Sequence, residues 1–156
     1  GDVYKRQGEQ DIDFIVKETM RAAEIGKQYG YPIVSPSISR RIEFVYDIVK
    51  KSSDDKETMK ELYNYFGGGD LAAESIPVAI GLFALGKGNV KLVNEYCVNF
   101  GGDCDTNAAM AGAMAGAYSG IEAVPVEWRE TIKKVNGVDF EEFAKQIINL
   151  IPEWEC

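Results

Sequence analysis

Apolar positions first settle into a rhythm at Ile12, Ile15, Val16, Met20, Ala23 and Ile25. Steps of three and four residues are the period of one helix face, so a helix is predicted from Asp11 onward. Gly30-Tyr31-Pro32 stops it, because proline bars continuation. Ser35-Pro36-Ser37 then has the form of a helix entry, and Ile42, Val45, Tyr46, Ile48 and Val49 make the next apolar face. Ser52-Ser53-Asp54-Asp55 reads as a loop and N-cap before a short helix bearing Met59, Leu62, Tyr63 and Phe66. After the sharp break at Gly67-Gly68-Gly69-Asp70, a helix is predicted over residues 75–85, with Pro77 tolerated in its first turn. Gly86 and Gly88 end it, and another helix is predicted over residues 89–100. A helix of small residues follows, reaching Tyr118, and residues 126–135 and 139–151 read as two more amphipathic helices. No segment alternates over enough residues to demand a strand. The pattern predicts an all-α chain of about eight helices with short connections.

The length of 156 residues suits one compact domain. A chain of that size buries about 70% of the surface its unfolded form exposes. Lys plus Arg number 17 and Asp plus Glu 25, a net charge of −8. That balance disfavours nucleic acid, whose binders displace counterions with a basic stripe, and it disfavours an anionic membrane. There is no histidine, which removes Ser/His and Cys/His nucleophile pairs, histidine bases and histidine zinc sites together. Chemistry here must run on carboxylates, hydroxyls and backbone, with or without a hard metal. Cys97, Cys104 and Cys156 are odd in number and form no CxxC pair, so neither a zinc ribbon nor a disulfide framework is suggested. A soluble chain in the reducing cytoplasm is the simplest expectation, since no signal segment and no run of about 18 apolar residues appears. Residues 1–10 lack periodicity and read as an irregular tail or a non-native scar.

The sharpest chemical feature is Gly101-Gly102-Asp103-Cys104-Asp105-Thr106, immediately ahead of the small-residue helix. Asp103 and Asp105, two apart on bent backbone, can aim carboxylates at one point, and Thr106 adds a hydroxyl. Such oxygens suit Mg²⁺, Mn²⁺ or Ca²⁺. A helix start also favours anions nearby. The alternative is a plain N-cap. An EF-hand is excluded, because Gly112 and Ala113 stand where a later acidic ligand belongs. Gly112, Gly116 and Gly120 lie four apart, as do Ala109, Ala113 and Ala117. Glycine costs up to about 1 kcal/mol against alanine in a helix, so the repeat predicts a helix closely approached by others in the middle of a bundle.

Gly67-Gly68-Gly69 before a helix can cradle phosphates through backbone N–H groups, though the Lys-Ser/Thr of a P-loop is missing and a simple connecting loop fits as well. Glu74 and Ser75 are candidate caps for that helix. Arg40-Arg41 reads as a surface pair, the tyrosines as half-buried packing, and Trp128 and Trp154 as anchors of the terminal helices.

At these residues the chain resembles the ADP-ribosylglycohydrolase family, which also contains crystallin relatives. The resemblance spans residues 11–151 and is strongest over residues 67–125. It is carried by Ala72-Ala73-Glu74-Ser75-Ile76-Pro77-Val78-Ala79 with Phe83, and by Val124-Pro125 with Trp128. The most distinctive part is Gly101-Gly102-Asp103-x-Asp105-Thr106 followed by Ala111-Gly112-Ala113-x-Ala115-Gly116-Ala117-x-x-Gly120. The resemblance implies an all-α orthogonal bundle holding two Mg²⁺ ions, with Mn²⁺ as a substitute. By the same resemblance Asp103, Asp105 and Thr106 are metal ligands, and Gly67, Gly68 and Gly69 contact substrate.

Cys104 departs from the family's usual threonine, a change that need not remove metal. Nothing in residues 1–66 resembles the family's N-terminal half, whose Thr-Asp-Asp segment supplies further ligands, and Asp54-Asp55 does not take that role. The chain therefore resembles the C-terminal portion of a longer, N-terminally truncated protein, with residues 11–156 as its remnant and the catalytic group upstream. The implied activity is Mg²⁺-dependent hydrolysis of the N- or O-glycosidic bond of ADP-ribosyl groups, on an ADP-ribosylated protein or a small-molecule conjugate. With half a metal site, this chain alone is expected to be catalytically dead. A non-catalytic crystallin-like or ADP-ribose-binding relative is the alternative. A helical phosphohydrolase is disfavoured by the lack of any His-Asp pair.

Overall fold

Side chains legible in the sequence set most of the helix starts. The computed structural model describes residues 11–31 and 34–150; the irregular opening, Pro32, Trp154 and Cys156 lie outside the described residues. Helix α1 spans Ile12–Gly26 and is capped by Asp11, whose carboxylate accepts from the N–H groups of Asp13 and Phe14. Helix α2 spans Ile38–Lys50, with Ser37 Oγ accepting from Arg40 N–H. Helix α3 spans Asp55–Phe66 behind Asp54, and α5 spans Val90–Phe100 behind Asn89. Asp11 fills two of the N–H groups a helix start leaves open, and each of the other caps fills one. Helix α4 spans Ala72–Leu85, α6 Cys104–Ser119, α7 Val126–Asn136 and α8 Phe140–Leu150, with a 3₁₀ turn at Ile121–Ala123. The class is all-α, and no strand occurs among the described residues.

The chain divides into two compact units at Ala123/Val124. In the first, α4 is the central element. Ser75 and every residue from Pro77 to Leu85 is buried, and α4 packs against α2, α3, α5 and α6. A helix apolar on all sides must be surrounded, and this one is. Its own Val78 and Leu82, and Ile42, Val45, Leu62 and Val93 of the helices around it, are shut off from solvent. At Gly81 a Cβ would overlap Val45 Cγ1, so the closest approach of α2 to α4 requires the missing side chain.

Helix α4 begins earlier than its pattern predicts, and this moves Pro77 from the first turn into the second. Proline has no N–H, so Ala73 O loses its intrahelical partner. Arg41 Nη1 supplies the replacement, donating to Ala73 O at 2.7 Å. The guanidinium also sits 5.4 Å from the centre of the Phe66 ring. Arg41 is thus a structural donor to α4, not half of a surface pair.

The small-residue helix also differs from expectation. The buried positions of α6 are Asn107, Ala111 and Ala115. Ala109 and Ala113 are exposed, and Cβ atoms on Gly116 and Gly120 would meet nothing within 4 Å. Of the repeat only Gly112 is closely approached, with Asn94 Oδ1 of α5 3.1 Å from where its Cβ would stand, and the buried stripe of α6, which packs with α4 and α5, is Asn107-Ala111-Ala115. The tyrosines divide: Tyr46, Tyr96 and Tyr118 are half-buried, whereas Tyr29, Tyr31, Tyr63 and Tyr65 are exposed.

The second unit contains α7 and α8. Gly137, in the left-handed region, closes α7 by donating to Lys133 O. Lys133 then reaches Asp139 at 2.7 Å, and Arg129 lies 3.8 Å from Glu141. Trp128 is half-buried in α7, which has no fully buried residue. Among the described residues, no helix is long and apolar enough to cross a membrane. Cys97 and Cys104 are free thiols.

Candidate functional site

The two glycine motifs, more than thirty residues apart in sequence, meet backbone to backbone. Helix α5 ends at Gly101 with φ +82°, Gly102 follows at φ +64°, and Asp103 leads into α6. The Asp103 N–H donates to Gly68 O at 2.7 Å. A Cβ on Gly102 would overlap Gly68 O, and one on Gly68 would come within 2.9 Å of Gly102 Cα. Only paired glycines allow this approach, because the left-handed φ and the missing Cβ are both needed at Gly102. Beside the junction, the Glu74 carboxylate folds over Gly69, where a Cβ would overlap its Oε2.

Asp103 occupies the N-cap position of α6, yet its side chain makes no capping hydrogen bond. The capping role expected of an aspartate there is therefore absent. Asp103 is half-buried, while Asp105 and Thr106 are exposed on the first turn. Helix α4 likewise starts without a side-chain cap, at Leu71; Ser75 Oγ donates instead to Leu71 O at 3.2 Å. The joined loops thus lead into two helix starts whose first N–H groups no side chain caps, an arrangement suited to negative charge.

Two carboxylates and a hydroxyl are hard oxygen donors that fit Mg²⁺ or Mn²⁺ by chemistry. In number they fall short of the six ligands Mg²⁺ requires. Among the described residues, no group of three or more acidic, cysteine or histidine side chains is gathered in a way that could hold a metal ion.

A groove of about 590 Å³ lies between α3 and α5, its lining including Lys56, Lys60, Tyr63, Tyr96 and Phe100. It adjoins the junction through Tyr63, whose Cε2 would lie 3.1 Å from a Cβ on Gly68. Tyr63 and Phe100 pack edge to face at 5.3 Å. Tyr96 donates to Asp55; burial first, and then that bond, push its hydroxyl up to about 12. Burial likewise pushes the Cys97 thiol up to about 12, with a smaller contribution from Cys104.

Two residues of consequence escape a reading of the pattern alone. Arg41 becomes visible only once Pro77 is placed in the second turn of α4. Asn107 carries a usable signal, being the sole polar side chain between Thr106 and Tyr118.

Fold and site together define an all-α protein with an acidic helix start clasped to a glycine loop. The ADP-ribosylglycohydrolase family model matches residues 3–155, and the chain belongs to that family. It is similar to the Escherichia coli K12 protein named "Uncharacterized protein YegU", 32% identical over 130 residues, covering 83% of this chain and 39% of that protein. ADP-ribosylhydrolase ARH3 of Bos taurus is 32% identical over 140 residues, covering 83% of this chain and 36% of its own length. The Homo sapiens ARH3 is 27% identical over the same span, with the same coverage. The chain therefore spans less than two-fifths of the length of these curated relatives. No solved structure matches at a significant level.

Proposed function

We propose that this chain supplies the C-terminal part of a metal-dependent hydrolase cleaving the glycosidic bond of ADP-ribosyl groups on proteins or small molecules. The observation that carries this reading is the clasp of Gly68 against Gly102 and Asp103. It brings a phosphate-compatible backbone loop against a carboxylate turn whose first acid is not used as a cap. Family membership supports the same reaction class.

In this reading Asp103, Asp105 and Thr106 hold Mg²⁺, or Mn²⁺ in its place, and the backbone of Gly67, Gly68 and Gly69 lies along the diphosphate. A bound metal supplies orientation of substrate and stabilisation of charge developing at the anomeric carbon. The uncapped starts of α4 and α6 add N–H donors toward the anionic substrate. No general base is assigned to these residues.

The test is a Mn²⁺ titration of the chain followed by electron paramagnetic resonance, comparing wild type with Asp103→Asn and Asp105→Asn. Each substitution is expected to weaken Mn²⁺ binding at least tenfold while leaving the melting temperature nearly unchanged. Equal affinity in all three proteins overturns the ligand assignment.

A further inference from the structure

Asn107 is only 1% exposed, and neither Nδ2 nor Oδ1 has a hydrogen-bond partner among the described residues. Buried carboxamides are nearly always bonded, because an unsatisfied donor or acceptor has lost water without replacement. Asparagine also disfavours helix interiors. The next members of its buried stripe, Ala111 and Ala115, are apolar, so packing alone favours a hydrocarbon side chain here.

Direction identifies what the group serves. Helical side chains lean toward the N-terminus and cover the turn before their own Cα. Asn107 N–H donates to Asp103 O at 3.1 Å, and Asp103 N–H donates in turn to Gly68 O, so this lean directs the carboxamide toward the turn that joins the two loops. A carboxamide offers two N–H donors and an oxygen acceptor, enough to serve both loops at once. A buried water with two to four polar partners is a common bridge in such places.

We propose that Asn107 is a positioning residue that, through a buried water, ties the Gly67–Gly69 loop to the turn bearing Asp103, Asp105 and Thr106. The tie sets where the two carboxylates point. Its consequence for metal rests on the function proposed above; the tie itself does not.

The experiment is amide hydrogen exchange on the full chain, wild type against Asn107→Leu, which keeps a similar branched shape and removes every hydrogen bond. Amides of residues 67–71 and 101–103 are expected to exchange about tenfold faster in the variant, the size of one lost buried hydrogen bond. Amides at Ala111, Ala115 and the centre of α4 keep their rates. Unchanged loop exchange overturns the proposal, and so does uniform acceleration, which marks a role in packing alone. Should Asn107→Leu fail to fold, Asn107→Ala is read by the same criterion.

A Mn²⁺ titration of the same proteins then separates the two readings. Binding about tenfold weaker in the variant is the expected result. Loosened loops with wild-type affinity overturn the claim that the tie orients the carboxylates. A wild type that binds no Mn²⁺ sinks the assignment of Asp103, Asp105 and Thr106 as ligands that hold metal in this chain, and leaves the exchange result to decide the tie.

Discussion

At the scale of single residues, two glycines of the same neighbourhood do opposite things. Gly102 has φ +64°, and a Cβ there would overlap Gly68 O. Gly102→Ala must leave the left-handed region or push the loops apart, breaking the Asp103 N–H bond to Gly68 O. A loss of about 2–4 kcal/mol is expected from the strain and the broken bond together. Gly116 is helical and would place its Cβ in open space, so Gly116→Ala should stabilise the protein by about 0.5–1 kcal/mol. Urea unfolding of the two variants checks both signs. A Gly102→Ala protein as stable as wild type would mean that the two loops do not clasp. The acidic turn was legible because its residue types and spacing carry its chemistry locally. The clasp was not, since nothing near Gly68 in sequence signals a partner at Gly102.

At the scale of elements, what could be read depended on contrast. Asp11, Ser37, Asp54 and Asn89 announce their helices because a cap is a local bond to an N–H two or three residues on. The buried face of α6 cannot be read from the sequence, because alanine, glycine and methionine fill nearly every position and leave no hydrophobic period to follow. The start of α4 slipped for another reason. Its first turn rests on Leu71 backbone without a capping side chain, so the visible cue was Pro77, which in fact sits one turn later. The cost of that proline is met by Arg41, and this couples α2 to α4 in a measurable way. Arg41→Met leaves Ala73 O unpaired and should destabilise by about 1–3 kcal/mol. Pro77→Ala restores an N–H able to bond Ala73 O, so in that background Arg41→Met should cost at least about 1 kcal/mol less. A double-mutant cycle in urea gives the coupling directly. Additive costs would show that Arg41 stabilises through its contact with Phe66 instead.

At the scale of the whole molecule, the native state holds several protons that the unfolded chain releases, and this fixes how stability responds to alkali. Cys97 is raised from its ordinary 9.0 to about 12, first by burial and then by Cys104. Tyr96 is raised from 10.0 to about 12 by burial and its bond to Asp55, and Tyr46 moves the same way through burial and its bond to Asp13. Because each folded value lies above the unfolded one, the stabilisation is fully present below about pH 9. It is lost as pH rises toward the folded values. At neutral pH all three groups are protonated in both states and contribute no slope. Above about pH 9 the unfolded state binds fewer protons; the proton retained by the buried Cys97 thiol lowers stability by up to about 1.4 kcal/mol per pH unit, and the partly exposed tyrosines contribute less because solvent screens them. The net charge of −8 grows more negative over the same range, so self-repulsion adds to the decline. Urea midpoints measured from about pH 7 to about pH 11 should therefore stay flat and then fall. Cys97→Ala removes the earliest of these titrations, so its profile should begin to fall about one pH unit later, near the ordinary tyrosine value. A variant profile parallel to wild type through this window would show that Cys97 titrates as readily in the native protein as in the unfolded chain. The thiol would then not lie inside the α5 face that packs toward α4 and α6.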